Sequence, residues 1–153
     1  NLSQAHMLWQ VRESIPLAQA EEGLNIKHDI SVPVSAMAAF VASTDALLAQ
    51  VIPGVRLVHF GHLGDGNFHY NVQAPSGKDA AAFLREREAE VNKIVFDSVI
   101  AHGGSISAEH GVGSLKVGHL SHYKSPVALA TMRAIKQALD PLNLMNPGRV
   151  LAI

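Results

Sequence analysis

At 153 residues the chain suits one domain with a real core, and its 48% apolar and only 16% charged residues, against roughly 25% charged in an average globular domain, point to surface not made for water. The formal net charge of −1 gives no electrostatic footprint for nucleic acid or an anionic membrane, and no apolar run is expected to approach the ~18 residues of a membrane span. Cysteine is absent, which excludes disulfides and thiolate metal sites, while nine histidines keep nitrogen-and-oxygen metal chemistry open.

The first ten residues, NLSQAHMLWQ, have neither a basic start nor an apolar core, so they are no signal peptide. They already read as helix, as a piece of something larger would. Residues 4–22 carry Ala5, Leu8, Trp9, Arg12 and Ile15 near helical spacing, with Pro16 placed to bend or end the helix. KHDISVPV (27–34) is a short strand of β-branched residues closed by Pro33, and residues 34–50 return to helical spacing until Pro53-Gly54 stops them.

VRLVHFGH (55–62) and NFHYNVQA (67–74) are strands joined across LGDG. A long helix follows from Asp79, as N-cap, to His102, with Leu84, Val91, Ile94, Val95 and Val99 inward and Gly103-Gly104 as its end. SISAEHG is a candidate strand, residues 125–139 a last helix, and DPLNLMNPGRVLAI a turn-rich tail. The order from 28 to 109 is strand, helix, strand, strand, helix, strand. That predicts an α+β, ferredoxin-like fold: an antiparallel sheet with helices on one face and the other face free.

The hairpin HFGHLGDGNFHYNV (59–72) holds more chemistry than a turn needs. With Asp65-Gly66 as a two-residue turn, His62 faces His69. Directly opposed side chains project from the same face, about 4.5–5.5 Å apart at Cβ. Period two then puts Phe60, His62, His69 and Asn71 on one face, and Leu57, His59, Leu63, Phe68, Tyr70 and Val72 on an apolar one. The His62/His69 pair faces the open side, and His59 is a structural residue on the core side.

Two adjacent imidazoles suit a first-row divalent ion, which also needs a carboxylate or water. Asp65 is near, but a turn residue points away from the sheet, so Glu109 of ISAEHGVG is the better third ligand. The competing view is two histidines stacked on a polar sheet surface. His110, next to Glu109, is suited to act as general base or acid. The glycine-dense stretch 103–116 lacks the Gly-Lys-Ser/Thr end of a phosphate loop, so nucleotide binding there has little support. Arg12 and Lys27 are lone cations that read either as surface residues or as a clamp for a carboxylate. His6, His28, His102, His119 and His122 show no partner in the sequence.

Taken together, LWQVRE, KHDISVP, HFGHLGDGNFHYNV, SAEHGVG and LDPLNLMNPGRVL resemble, in order, the C-terminal part of the FAD-linked oxidases and dehydrogenases of D-2-hydroxy acids. That group includes D-lactate dehydrogenases, the glycolate oxidase FAD subunit and D-2-hydroxyglutarate dehydrogenase. The resemblance implies a metal, zinc first, on His62, His69 and Glu109. It implies His110 as the base that takes the substrate hydroxyl proton, Asn71 beside the substrate, and Arg12 and Lys27 on its carboxylate groups. The 15-residue gap between these two cations fits the hydroxyglutarate enzymes, but Ser14 and Pro16 stand where those carry a substrate-binding threonine, which weighs against a long dicarboxylate.

The expected whole is a flavin-dependent dehydrogenase oxidising a lactate-, glycolate- or 2-hydroxyglutarate-type acid to the 2-oxo acid, with hydride passing to FAD. Residues 1–153 would be its single C-terminal substrate- and metal-binding domain. FAD would be held mainly by an absent FAD-binding domain of the same protein, so that the chain alone neither holds FAD tightly nor turns over. An electron acceptor, a cytoplasmic location with at most peripheral membrane contact, and an open question of homodimerisation complete the expectation. Two rivals stand beside it: a metal-dependent hydrolase using His62, His69 and Glu109, and a non-catalytic interaction domain.

Overall fold

The computed structural model describes residues 1–152. Helix α1 (Leu2–Glu21) is followed by β1 (Asn25–Ser31), a 3-10 turn (Val34–Ala36), α2 (Met37–Val51), β2 (Arg56–His62), β3 (Asn67–Gln73), α3 (Ala80–Ala101), α4 (Val117–Tyr123) and α5 (Pro126–Leu139). The class is α+β, and the open sheet runs β1-β3-β2 with both pairings antiparallel. This is the expected ferredoxin-like order without its fourth strand. The candidate strand at SISAEHG is reduced to one antiparallel bridge, Ser31 to Ser105, at the outer edge of β1.

Gly104 explains how close that bridge comes, because a Cβ there would lie 2.3 Å from the Ser31 carbonyl oxygen. Beyond Ser105 the backbone turns N–H groups towards the Asp29 side chain instead of towards a strand partner. The helix Val117–Tyr123 was not expected; it is only seven residues long and contains Gly118, too short for periodicity to register.

The core fills one face of the sheet. Ile26 and Ile30 of β1, Phe68, Tyr70 and Val72 of β3, Phe40 and Leu48 of α2, and Val91, Val95, Phe96 and Val99 of α3 are buried together. Asp79 caps α3 by accepting from the N–H groups of Ala81 and Ala82, and Gly103, at φ +73°, ends it. His59 stacks on Tyr70 with ring centroids 4.4 Å apart and lies 3.3 Å from Asp45, a packing role on the core side. A second, smaller cluster of Leu120, Leu129 and Leu151 joins α4, α5 and the tail.

Segment Val34–Val51 reaches 18 residues at a mean hydropathy of 1.5, so one stretch is long and apolar enough for a membrane span, contrary to expectation. In the fold it lays Phe40, Thr44 and Leu48, all fully buried, against the core, and Thr44 Oγ1 pairs with Ser98 Oγ of α3 at 2.5 Å.

The hairpin register differs from expectation by two residues. Phe60 faces His69 and His62 faces Asn67, so the connection is four residues, Leu63 to Gly66. Asp65 causes this: its Oδ1 accepts the Asn67 N–H at 3.0 Å, and Gly66 takes φ +76° at the last loop position. A Cβ on Gly66 would also lie only 2.3 Å from the Val32 carbonyl oxygen, so no other residue fits there.

His28, without a visible partner in the sequence, lies wholly inside the core, with Nδ1 2.8 Å from the Tyr70 carbonyl and Nε2 2.8 Å from the Asn92 side-chain oxygen. Burial pushes its pKa down to about 4, although both hydrogen bonds act the other way. The unfolded chain therefore binds this proton more readily between pH 6.5 and 4. The associated stability is full above pH 6.5 and is lost as pH falls towards 4, by up to about 3 kcal/mol. Urea unfolding at about pH 7 and about pH 4.5, on either side of most of that window, compared with His28→Gln, checks this. The wild type should lose the larger share, and equal losses would contradict it.

Candidate active site

The second face of the sheet, expected to be free, is polar and partly covered. From β1 it presents Lys27 and Asp29, from β3 Asn67, His69 and Asn71, and from β2 Phe60 and His62. Asp29, Asn67 and Asn71 are each no more than 5% exposed. Helix α1 supplies part of the roof. It runs on through Pro16, and its one buried residue, Gln19, accepts a hydrogen bond from the Asn71 amide. The loop between α3 and α4 supplies the rest. Between roof and sheet lies a cavity of about 640 Å³, bordered by Lys27, His69, Asn71, Glu109, His110 and Arg149.

The register change leaves the site intact because two is an even number. His62 and His69 are diagonal neighbours rather than directly opposed, yet they still project from one face. Glu109 reaches both: Oε1 is 3.0 Å from His62 Nδ1 and Oε2 is 3.6 Å from His69 Nε2. His110 sits beside them, its ring centroid 5.8 Å from that of His69. Burial holds His69 below the ordinary histidine pKa, against the opposing pull of Asp29 and Glu109. A neutral imidazole at neutral pH is the form that binds a metal.

Arg12 lies over the Phe60 ring, 5.6 Å from its centroid, with Nη2 3.4 Å from His62 Nε2. The other ring nitrogen of His62, Nδ1, faces Glu109. Lys27 neighbours Asn71 across the β1–β3 ladder and extends to the cavity. Arg12, Lys27, Asn71, His62, His69, Glu109 and His110 are thus brought to one side of the sheet. Ser14 is turned away, donating to the Val11 carbonyl of its own helix at 2.8 Å, while Pro16 borders the cavity.

Asp29, Lys116 and Arg149 were not foreseen from the sequence. Asp29, His69 and Glu109 bring one ligand atom each within 4.8 Å of one another, so geometry alone would admit Asp29 as a metal ligand in place of His62. Its oxygens are already taken. Oδ1 accepts from the Asn67 amide at 3.2 Å and Glu109 N–H at 3.3 Å, and Oδ2 from Ala108 N–H at 3.2 Å and His110 N–H at 2.8 Å. Burial by itself would raise this carboxyl, but the N–H groups of His110, Ala108 and Glu109 outweigh it and hold it below the usual range. Four donors thus engage its two oxygens, while Glu109 is left between His62 and His69. A carboxylate sitting mid-strand in KHDIS, in phase with Lys27, was the one available signal for Asp29.

Lys116 Nζ donates to the backbone carbonyls of Asp29 at 3.1 Å and Ile106 at 2.9 Å. Burial lowers its pKa, with Asp29 opposing.

Residues 1–150 match the family model described as FAD linked oxidases, C-terminal domain. The chain belongs to that family. Among curated relatives of this FAD-linked oxidase C-terminal domain, it is 43% identical over 148 residues to a D-2-hydroxyglutarate dehydrogenase of Xanthomonas citri pv. viticola, covering 97% of this chain and 31% of that protein. It is 41% identical over 149 residues to the D-2-hydroxyglutarate dehydrogenase of Stutzerimonas stutzeri, covering 97% and 32%. To the mitochondrial D-2-hydroxyglutarate dehydrogenase of Arabidopsis thaliana it is 35% identical over 151 residues, covering 99% and 25%. The chain thus spans a third or less of the length of these relatives.

Proposed function

We propose that this domain is the substrate-binding part of a flavin-dependent dehydrogenase that oxidises a D-2-hydroxy acid to the 2-oxo acid, with D-2-hydroxyglutarate the first substrate to test. The observation that carries the reading is Glu109 within reach of both His62 and His69 beside a cavity that His69, Glu109, His110, Lys27 and Arg149 line, with Arg12 against His62. The named relatives favour hydroxyglutarate over lactate or glycolate, and the cationic rim suits a substrate with two carboxylates.

Two imidazole nitrogens and one carboxylate leave an open position on a divalent ion such as zinc, which when bound would supply the Lewis acidity that lowers a substrate hydroxyl pKa. FAD, held by another part of the protein, would supply the oxidising power.

The chain's own groups do the rest. Arg12 and Lys27 orient the acid through its carboxylates, and Asn71 is held by Gln19 where it can meet the substrate. His110 accepts the hydroxyl proton as the Cα–H bond breaks with its electron pair leaving as hydride and the C–O bond becomes a carbonyl. The test is anaerobic mixing of the FAD-containing protein that carries this domain with D-2-hydroxyglutarate, its L-isomer and D-lactate. Flavin bleaching by the D-isomers, fastest with hydroxyglutarate, is expected. Bleaching by none of them would overturn the reading.

A further inference from the structure

We infer that Asp29 is the positioning residue for the catalytic loop: with Lys116 it clamps residues 106–110 so that Glu109 and His110 are presented together, an inference resting on the roles proposed for those two. Three consecutive backbone N–H groups, of Ala108, Glu109 and His110, converge on one buried carboxylate. A chain does this only when curled around the anion, and the curl replaces the fourth strand that the topology leads one to expect. The loop leaves the curl through Gly111 at φ +72° and Gly113 at φ +54°, conformations open to glycine at little cost.

The same aspartate is tied at its other end. Its backbone carbonyl and that of Ile106 share the ammonium of Lys116, so β1, the start of the loop and the start of α4 meet at one cation. Asn67, which faces His62 across the hairpin, donates to Asp29 and lies 3.3 Å from His62 Nδ1 through its own side-chain oxygen. One carboxylate therefore sets Glu109 and His110 through their backbone and His62 through Asn67. Asp29 borders the same cavity, but both its oxygens are engaged by the loop N–H groups and Asn67, so it acts through the residues it holds. Partners that orient metal ligands in this way typically matter by about 10- to 100-fold in affinity or activity.

Asp29→Asn keeps the size but turns an N–H-bearing group towards backbone N–H donors. In the FAD-containing protein we expect it to slow flavin reduction at saturating substrate by about 10- to 100-fold per bound flavin, with KM little changed. Lys116→Met loosens the loop from the other side and should shift kcat the same way, which decides the matter if Asp29→Asn fails to fold. A merely structural role would lower Tm and the yield of folded protein while leaving kcat per flavin intact in both variants, and that result overturns the clamp. Glu109→Gln belongs in the same series. If it keeps wild-type activity, the role proposed for Glu109 fails; if it is inactive while Asp29→Asn turns over normally, only the clamp fails.

Discussion

Replacing both His62 and His69 by alanine in the FAD-containing protein is expected to lower kcat by about 10³-fold or more, because a divalent ion held by these imidazoles would lower the barrier by several kcal/mol. The fold should tolerate the change. His62 is exposed in the hairpin, with a side chain 46% accessible, and His69, though less so, lies on the polar face of the sheet, away from the core formed by Phe68, Tyr70 and Val72. Unfolding midpoints close to wild type would accompany the loss. A double variant with near-normal turnover would remove these imidazoles from the chemistry.

His110→Ala is expected to act differently. Its ring lies beside the proposed ligands and carries none of the ligand pairings that His62 and His69 make to Glu109. Metal should therefore stay bound while the proton acceptor is lost, and a positioned general base is worth about 10²–10⁴-fold. Stopped-flow flavin reduction combined with metal content separates the two cases. Loss of rate with metal retained marks a base. Loss of both would make His110 part of the metal's support, and unchanged rate would pass the base role to another group.

Much of this site is legible in the amino-acid sequence because period two is insensitive to the error actually present. A turn of two residues and a loop of four differ in register by an even step, so Phe60, His62, His69 and Asn71 stay on one face either way. The side chain of Asp65 decided between them, and its bond to the Asn67 N–H is a local choice that propensity does not reveal. Glu109 and His110 were found by composition and neighbourhood, although the segment carrying them is a curl rather than a strand. Nothing in SISAEHG announces that its N–H groups bond to a carboxylate some eighty residues earlier in the chain.

The roof was hidden for another reason. Helix α1 buries only Gln19 and leaves Leu8, Trp9, Val11 and Leu17 exposed, so its apolar residues mark no inward face against this sheet. Its role over the site shows only through particular polar contacts, Arg12 to His62 and Asn71 to Gln19. Pro16 gave no usable stop, since the helix continues through it to Glu21.

The most direct test of the site is the zinc content of this chain after reconstitution and gel filtration, measured by elemental analysis beside the His62→Ala/His69→Ala variant. About one zinc per chain in the wild type, absent from the variant, is the expected result for a site of two imidazoles and a carboxylate. No zinc in the wild type, or equal zinc in both, would contradict a metal site on His62, His69 and Glu109.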